Sequence, residues 1–248
     1  MAPLLQACLN GSRLPAEHPR IPILADELAG ESAAAWMAGA HSVHVHPRAP
    51  DGRQTLAPGI CAEAIAAIRA SAPSVEVSLS TGAFIDPDVD ARIACIHAWT
   101  VLPDVASVNF GEDGCERVST ALHHRGVPVE AGVASVAQAV RLLASGELRH
   151  CTRVLVEVPD PDPHEAVAHA ARIEAVLQEA MVVLPRLHHG EGRATWAVVV
   201  AAARAGHHIR IGLEDTLELP DGRPAPSNEA MVRAASELQR RAARAGSS

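Results

Sequence analysis

The chain has 248 residues, of which 48% are hydrophobic, 20% charged and 2% aromatic, and its formal net charge at pH 7 is −8. That apolar fraction is enough for a buried core, and the negative charge argues against nucleic acid or an anionic membrane surface as a partner. All 21 basic residues are arginine, and neither lysine nor tyrosine occurs. The composition therefore excludes Schiff-base aldolases, pyridoxal-phosphate enzymes, Walker A loops and any tyrosine acid or base.

The cysteines indicate a reducing compartment. They stand at positions 8, 61, 95, 115 and 151, an odd number without a CxxC pair, so neither a disulfide framework nor a cysteine zinc site is expected. The first residues lack the basic segment of a signal peptide, and no stretch approaches the ~20 apolar residues of a membrane span. We therefore expect a soluble cytoplasmic protein.

Short β-branched runs alternate with alanine-rich segments of helical period along the whole chain. The predicted strands cover residues 3–9, 42–46, 75–79, 105–110, 127–131, 153–158, 181–187 and 208–213. The predicted helices cover residues 25–38, 62–70, 88–98, 114–124, 136–144, 164–180, 194–205 and 228–245. Repeated strand–helix alternation at this length favours a single-domain (β/α)₈ TIM barrel over residues 1–248, with a doubly wound open sheet as the alternative.

The second predicted strand ends with a pair of histidines. His44 and His46 are two residues apart, so in a strand both side chains project from the same face. Two imidazoles on one face suit a divalent metal such as zinc. The alternative is a pair of partly buried structural histidines.

The eighth predicted strand has one apolar and one polar face. Isoleucine and leucine alternate at 209, 211 and 213, which leaves Arg210 and Glu214 on the face that points into a barrel. Glu214 could then supply a third metal ligand, giving a His₂Glu set with an open position, as in catalytic zinc sites. The alternative is that Glu214 and Asp215 only solvate a loop or pair with Arg210.

Three further polar residues stand at predicted strand ends, where barrel enzymes place their functional side chains. These residues are Ser80, Asn109 and Glu130. Each signal is weak alone, because serine and asparagine also cap helices and form turns.

Taken together, segments spread over nearly the whole chain resemble the β-keto acid cleavage enzyme family. They are AGAHSVHVHPR (38–48), SLSTGA (78–83), PDVASVNFG (103–111), GVPVEAG (126–132), HGEGRATW (189–196), RIGLEDTLELPDG (210–222) and SNEAMV (227–232). The pair HVHPR and RIGLEDTL is the most specific part. The resemblance implies a zinc-dependent (β/α)₈ barrel, expected to form a homo-oligomer, that reacts a β-keto acid with acetyl-CoA to give acetoacetate and a new acyl-CoA.

The resemblance also implies roles for individual residues. The Zn²⁺ ligands fall on His44, His46 and Glu214. A proton-abstracting cluster falls on Asp215, Arg210 and Glu130, and Ser80 and Asn109 lie near the substrate. A zinc ion is a Lewis acid and a carboxylate beside it is a reasonable general base, so these residue types agree with the implied chemistry.

Two other readings remain open from the residues. A barrel metallohydrolase also uses an HxH pair, but such sites usually add a carboxylated lysine or further histidines, and this chain has no lysine. A non-catalytic barrel could keep the metal or ligand site as a sensor.

Overall fold

The computed structural model describes residues 3–245, and within them eight parallel strands close into a barrel in sequence order. The strands are β1 (Leu5–Cys8), β2 (Ser42–Val45), β3 (Glu76–Ser80), β4 (Val105–Asn109), β5 (Val129–Val133), β6 (Cys151–Val158), β7 (Arg186–Gly190) and β8 (His208–Ile211). The helices are α1 (Ala25–Met37), α2 (Pro58–Ser71), α3 (Val89–Ala98), α4 (Cys115–His124), α5 (Val136–Ser145), α6 (Pro163–Glu179), α7 (Thr195–Ala205) and α8 (Asn228–Ala245). The predicted (β/α)₈ barrel is confirmed, and the open-sheet alternative is wrong.

Local signals in the sequence explain where several helices begin and end. Asp88 and Asp162 precede α3 and α6, and each carboxylate accepts hydrogen bonds from two backbone N–H groups of the first turn. Ser135 caps α5 in the same way. Gly206 ends α7 with a φ of 77°, a left-handed conformation that glycine adopts without strain. No helix within residues 3–245 is long and apolar enough to cross a membrane.

Strand alternation divides the barrel into an apolar outer layer and a polar interior. On β2, Val43 and Val45 are fully buried in the core that the strands share with the helices. Their neighbours Ser42 and His44 are also buried but make polar contacts with side chains of the adjacent strands β1 and β3. The interior is therefore built largely from hydrogen-bonded and charged groups, which must find partners because burial removes their water.

The seventh strand begins later than predicted. The expected strand 181–187 is wrong, since β7 covers Arg186–Gly190. The apolar run before it belongs to a loop: Met181 has a φ of 55°, and Met181 and Val183 are 83% and 94% exposed. The prediction followed the apolar residues, which belong to the loop, whereas the strand itself contains two adjacent histidines, His188 and His189.

Candidate active site

A cavity of about 690 Å³ opens at the carboxyl ends of the strands, where barrel enzymes build their sites. Its wall brings together every residue expected at the site except Glu130. These residues are His44, His46, Ser80, Asn109, Arg210, Glu214 and Asp215. Side chains far apart in sequence thus converge because parallel strands deliver their ends to one face.

The two histidines of the second strand face each other inside this cavity. The Nε2 atoms of His44 and His46 are 3.1 Å apart, and the Glu214 Oε1 atom lies 3.6 Å from Nε2 of His46. The ligand atoms of all three residues lie within 4.8 Å of one another. Burial, with a further contribution from the Arg210 charge, lowers the pKa of His44 well below its usual value. A neutral imidazole has the lone pair that a metal needs.

Hydrogen bonds at the outer ring nitrogens are compatible with a proton on Nδ1 in both histidines. His46 Nδ1 lies 2.7 Å from the Gln54 Oε1 acceptor, and His44 Nδ1 lies 2.9 Å from the Ser78 hydroxyl. When Nδ1 carries the proton, the Nε2 lone pairs of both rings point at each other, an arrangement that a shared cation stabilises. Glu214 Oε2 is also buried, with no hydrogen-bond partner among residues 3–245. The donor set therefore fits a divalent metal ion.

The eighth strand carries the charged half of the cavity. Arg210 Nη2 lies 2.6 Å from Glu214 Oε1 and 3.9 Å from Asp215 Oδ1. Burial raises the pKa of Glu214, but Arg210, His46 and His44 together more than offset this, so the pKa falls well below its usual value. Gly212 stands two residues before Glu214, and a Cβ atom on it would lie 1.9 Å from the carbonyl oxygen of Cys8. Only glycine allows β8 to approach β1 so closely before Glu214.

Among the cavity-wall residues that the sequence did not predict are Glu157 on β6 and His189 on β7. His189 Nε2 lies 2.9 Å from Asp215 Oδ1, and its Nδ1 lies 3.3 Å from Glu157 Oε1. Burial alone would lower the pKa of His189, but the Asp215 carboxylate raises it to about 10. The imidazole is therefore a cation between two carboxylates. Placing β7 too early hid this residue, although the motif HGEGRATW contains it.

Glu130 lies at the other end of the barrel, and the expectation that it joins Asp215 needs correction. Its fully buried carboxylate lies 2.6 Å from Arg153 Nε and 3.2 Å from Gln6 Nε2. Arg153 in turn binds Glu76 at the start of β3. Strand alternation explains the error, because the next inward position of β5, nearer the cavity, is Gly132, whose Cβ position is 2.7 Å from Asn109 Oδ1.

The two expected substrate contacts differ in how they are held. Ser80 ends β3, is buried and lines the cavity. Asn109 ends β4 and donates a hydrogen bond from Nδ2 to Glu112 Oε1 at 3.0 Å. With its nitrogen bound in this way, Asn109 directs its side-chain oxygen toward Gly132 of β5.

A second His/Glu group lies outside the barrel wall. Glu174 of α6, His188 of β7 and His207 before β8 place their ligand atoms within 4.8 Å of one another. The Arg186 guanidinium lies 3.4 Å from the second oxygen of Glu174, which already pairs with His188 at 2.9 Å. This group therefore acts as an ion cluster that ties α6 to β7.

Comparison with known proteins gives a consistent match. A family model described as "beta-keto acid cleavage enzyme" matches residues 4–246. A 3-keto-5-aminohexanoate cleavage enzyme of Fusobacterium nucleatum is 26% identical over 254 residues, covering 96% of this chain and 92% of that protein. A 3,5-dioxohexanoate:acetyl-CoA acetone transferase of Paraburkholderia graminis is 32% identical over 98 residues, covering 39% of this chain and 31% of its own.

Among solved structures, the ternary complex of ObcA with a C4-CoA adduct and oxalate is similar in fold. Its TM-score is 0.72 at 18% sequence identity, over 88% of this chain. The present chain spans 63% of the ObcA chain. At that identity the likeness supports the barrel fold alone.

Proposed function

The chain belongs to the beta-keto acid cleavage enzyme family, and we propose that it condenses a β-keto acid with acetyl-CoA and cleaves the adduct to acetoacetate and a new acyl-CoA. The observation that carries this proposal is the convergence of His44, His46 and Glu214 beside Asp215 in one cavity. The name of the Paraburkholderia relative, which includes acetyl-CoA, supports the second substrate.

We assign Zn²⁺ to the three converging side chains, His44, His46 and Glu214. When bound, the ion supplies Lewis-acid polarisation to the oxygens of the keto acid. Gln54 and Ser78 contact the Nδ1 atoms of the two imidazoles, which leaves both Nε2 atoms to face the ion. Arg210 holds Glu214 ionised and in place through its 2.6 Å contact.

Asp215 is the general base of the proposed reaction. Its side chain is fully buried and lies in the cavity wall next to the metal ligands. Asp215 removes the proton from the carbon between the keto and carboxylate groups, and the electron pair left there attacks the acetyl carbonyl of acetyl-CoA. The CoA thiolate leaves, then attacks the former keto carbon, and the old carbon–carbon bond breaks. The electron pair of that bond stays on the acetoacetate carbon, which takes back the proton held by Asp215. Acetoacetate and an acyl-CoA remain, without any lysine or covalent enzyme intermediate.

The cavity also offers groups for both substrates beyond the reacting atoms. Ser80 and Asn109 face the keto acid from β3 and β4. Arg13 and Arg193 line the same cavity, and we assign them to the anionic CoA, since arginine pairs with phosphate through its planar fork.

The direct test is an assay on purified protein of known metal content. Acetyl-CoA is combined with a panel of β-keto acids whose side chains are cationic, apolar or acidic, and acetoacetate is followed. We expect acetoacetate only when acetyl-CoA and bound zinc are both present. A zinc-loaded protein that forms none from any acid would refute the proposed function.

A further inference from the structure

Asp215, His189 and Glu157 form a row of three ionisable side chains in the cavity wall. The two carboxylates flank the imidazole at 2.9 Å and 3.3 Å, and the side chains of Asp215 and His189 are 0% and 3% exposed. Neither Asp215 oxygen has a hydrogen-bond partner among residues 3–245. Its shortest charged contact is with the His189 imidazole, at 2.9 Å.

Two cations are close enough to hold this carboxylate, and His189 is the nearer. Arg210 is 3.9 Å from Asp215 and makes its short contact, 2.6 Å, with Glu214. His189 gives its Nε2 side to Asp215 and is backed by Glu157 on the Nδ1 side. The backbone adds one link, since Gly192 N–H, just after β7, donates to the Asp215 carbonyl at 2.8 Å.

We propose that His189 is a positioning residue for the reaction: the imidazolium, held from behind by Glu157, fixes the Asp215 carboxylate toward the substrate carbon. This inference rests on the proposed function, in which Asp215 is the base. The pKa of His189, raised to about 10 by Asp215 against the effect of burial, agrees with a permanent positive charge at this point.

β7 provides a matched control. His188 is as buried as His189, 4% against 2% exposed, and its Nε2 lies 2.9 Å from a glutamate, Glu174. It points to the opposite face of the strand, away from the cavity. If His189 only stabilises β7, His189→Asn and His188→Asn will have similar effects on turnover.

The experiment compares His189→Asn and His188→Asn with the wild type, each with its metal content measured. We expect His189→Asn to lower kcat by about 10²-fold, within the range that a general acid–base group contributes, with an unchanged zinc content and a KM for the keto acid within about twofold. Glu157→Gln is expected to lower kcat by a smaller factor, and His188→Asn to leave it near the wild-type value. Equal losses in the two histidine variants, or a loss confined to KM, would overturn the proposal.

A second measurement does not depend on turnover or on the folding of a histidine variant. ¹⁵N spectra of the histidine side chains at pH 7.5 should show His189 doubly protonated in the wild type and neutral in Asp215→Asn. A neutral His189 in the wild type would overturn the inference. A wild type that forms no acetoacetate while His189 is charged against Asp215 would instead refute the proposed function and leave this contact in place.

Discussion

Arg153 at the amino end of the barrel is the residue whose loss we expect to be most costly for folding. Its Nε lies 2.6 Å from the fully buried carboxylate of Glu130, and its Nη2 lies 2.6 Å from Glu76. Burial lowers the pKa of Arg153, but the two carboxylates more than offset this and raise it, so the residue stays charged. The substitution Arg153→Met keeps much of the side-chain length and leaves Glu130 buried without its cation.

Breaking a buried ion pair from one side costs about 3–5 kcal/mol, because the remaining charge stays out of water. For a chain of this size, about 2–4 °C of melting temperature is lost per kcal/mol, which gives a fall of about 6–20 °C. The assay is thermal and urea unfolding of the metal-loaded protein. Since this group does not line the cavity, kcat of the folded variant should remain near the wild-type value.

The control is Arg223→Met, which removes an arginine–aspartate pair of nearly the same length, 2.7 Å, with both side chains more than half exposed. We expect a much smaller loss there, because water screens an exposed pair. If Arg153→Met costs no more than this control, the reasoning from burial is refuted. If Arg153→Met abolishes turnover at full stability, Glu130 belongs to the chemistry after all.

The remaining predictions concern the metal, the base and the pH dependence of stability. Gln54→Leu, which removes the partner of His46 Nδ1, should weaken metal affinity about 10–100-fold, measured by chelator competition; unchanged affinity would contradict the tautomer assignment. Asp215→Asn should retain the metal but stop exchange of the substrate's α-protons with deuterated solvent, and undiminished exchange would exclude Asp215 as the base. Hydrogen bonds from Arg141 lower the pKa of Glu116 from 4.5 to about 2. A depressed pKa means that this pair stabilises the fold fully above the unfolded value and loses its contribution as pH falls from about 4.5 to 2. Unfolding free energies of wild type and Arg141→Ala should therefore converge in acid, and a constant difference would contradict the assignment.

Much of the barrel could be predicted because its strands alternate with helices along the chain and the strand ends lie at one face. That rule was enough to place His44, His46, Arg210, Glu214 and Asp215 in one cavity. It failed where composition and structure disagree: a loop near Val183 is as apolar as a strand, whereas β7 itself is polar.

The case of Glu130 shows a second limit of sequence reasoning. Glu130 is the second residue of β5 and faces the barrel interior one layer below the cavity, so its role depends on how far along the strand the cavity begins. Its partner Arg153 is on the next strand, and only the strand register brings them together. His189 was missed because β7 was placed too early, and its role depends on Glu157 of β6 and on Asp215, which follows β8.

Single strands contribute both to the stability of the barrel interior and to the cavity, at different positions along their length. On β6, Arg153 belongs to the ion group at the amino end, and Glu157, four residues on, belongs to the cavity. Most mutations destabilise a protein, and selection removes those that bring its stability below the level that function needs. Because the ion group at the amino end does not line the cavity, substitutions around the cavity can accumulate while that group is retained. The ion group at the amino end thus leaves the cavity wall free to vary without loss of the fold.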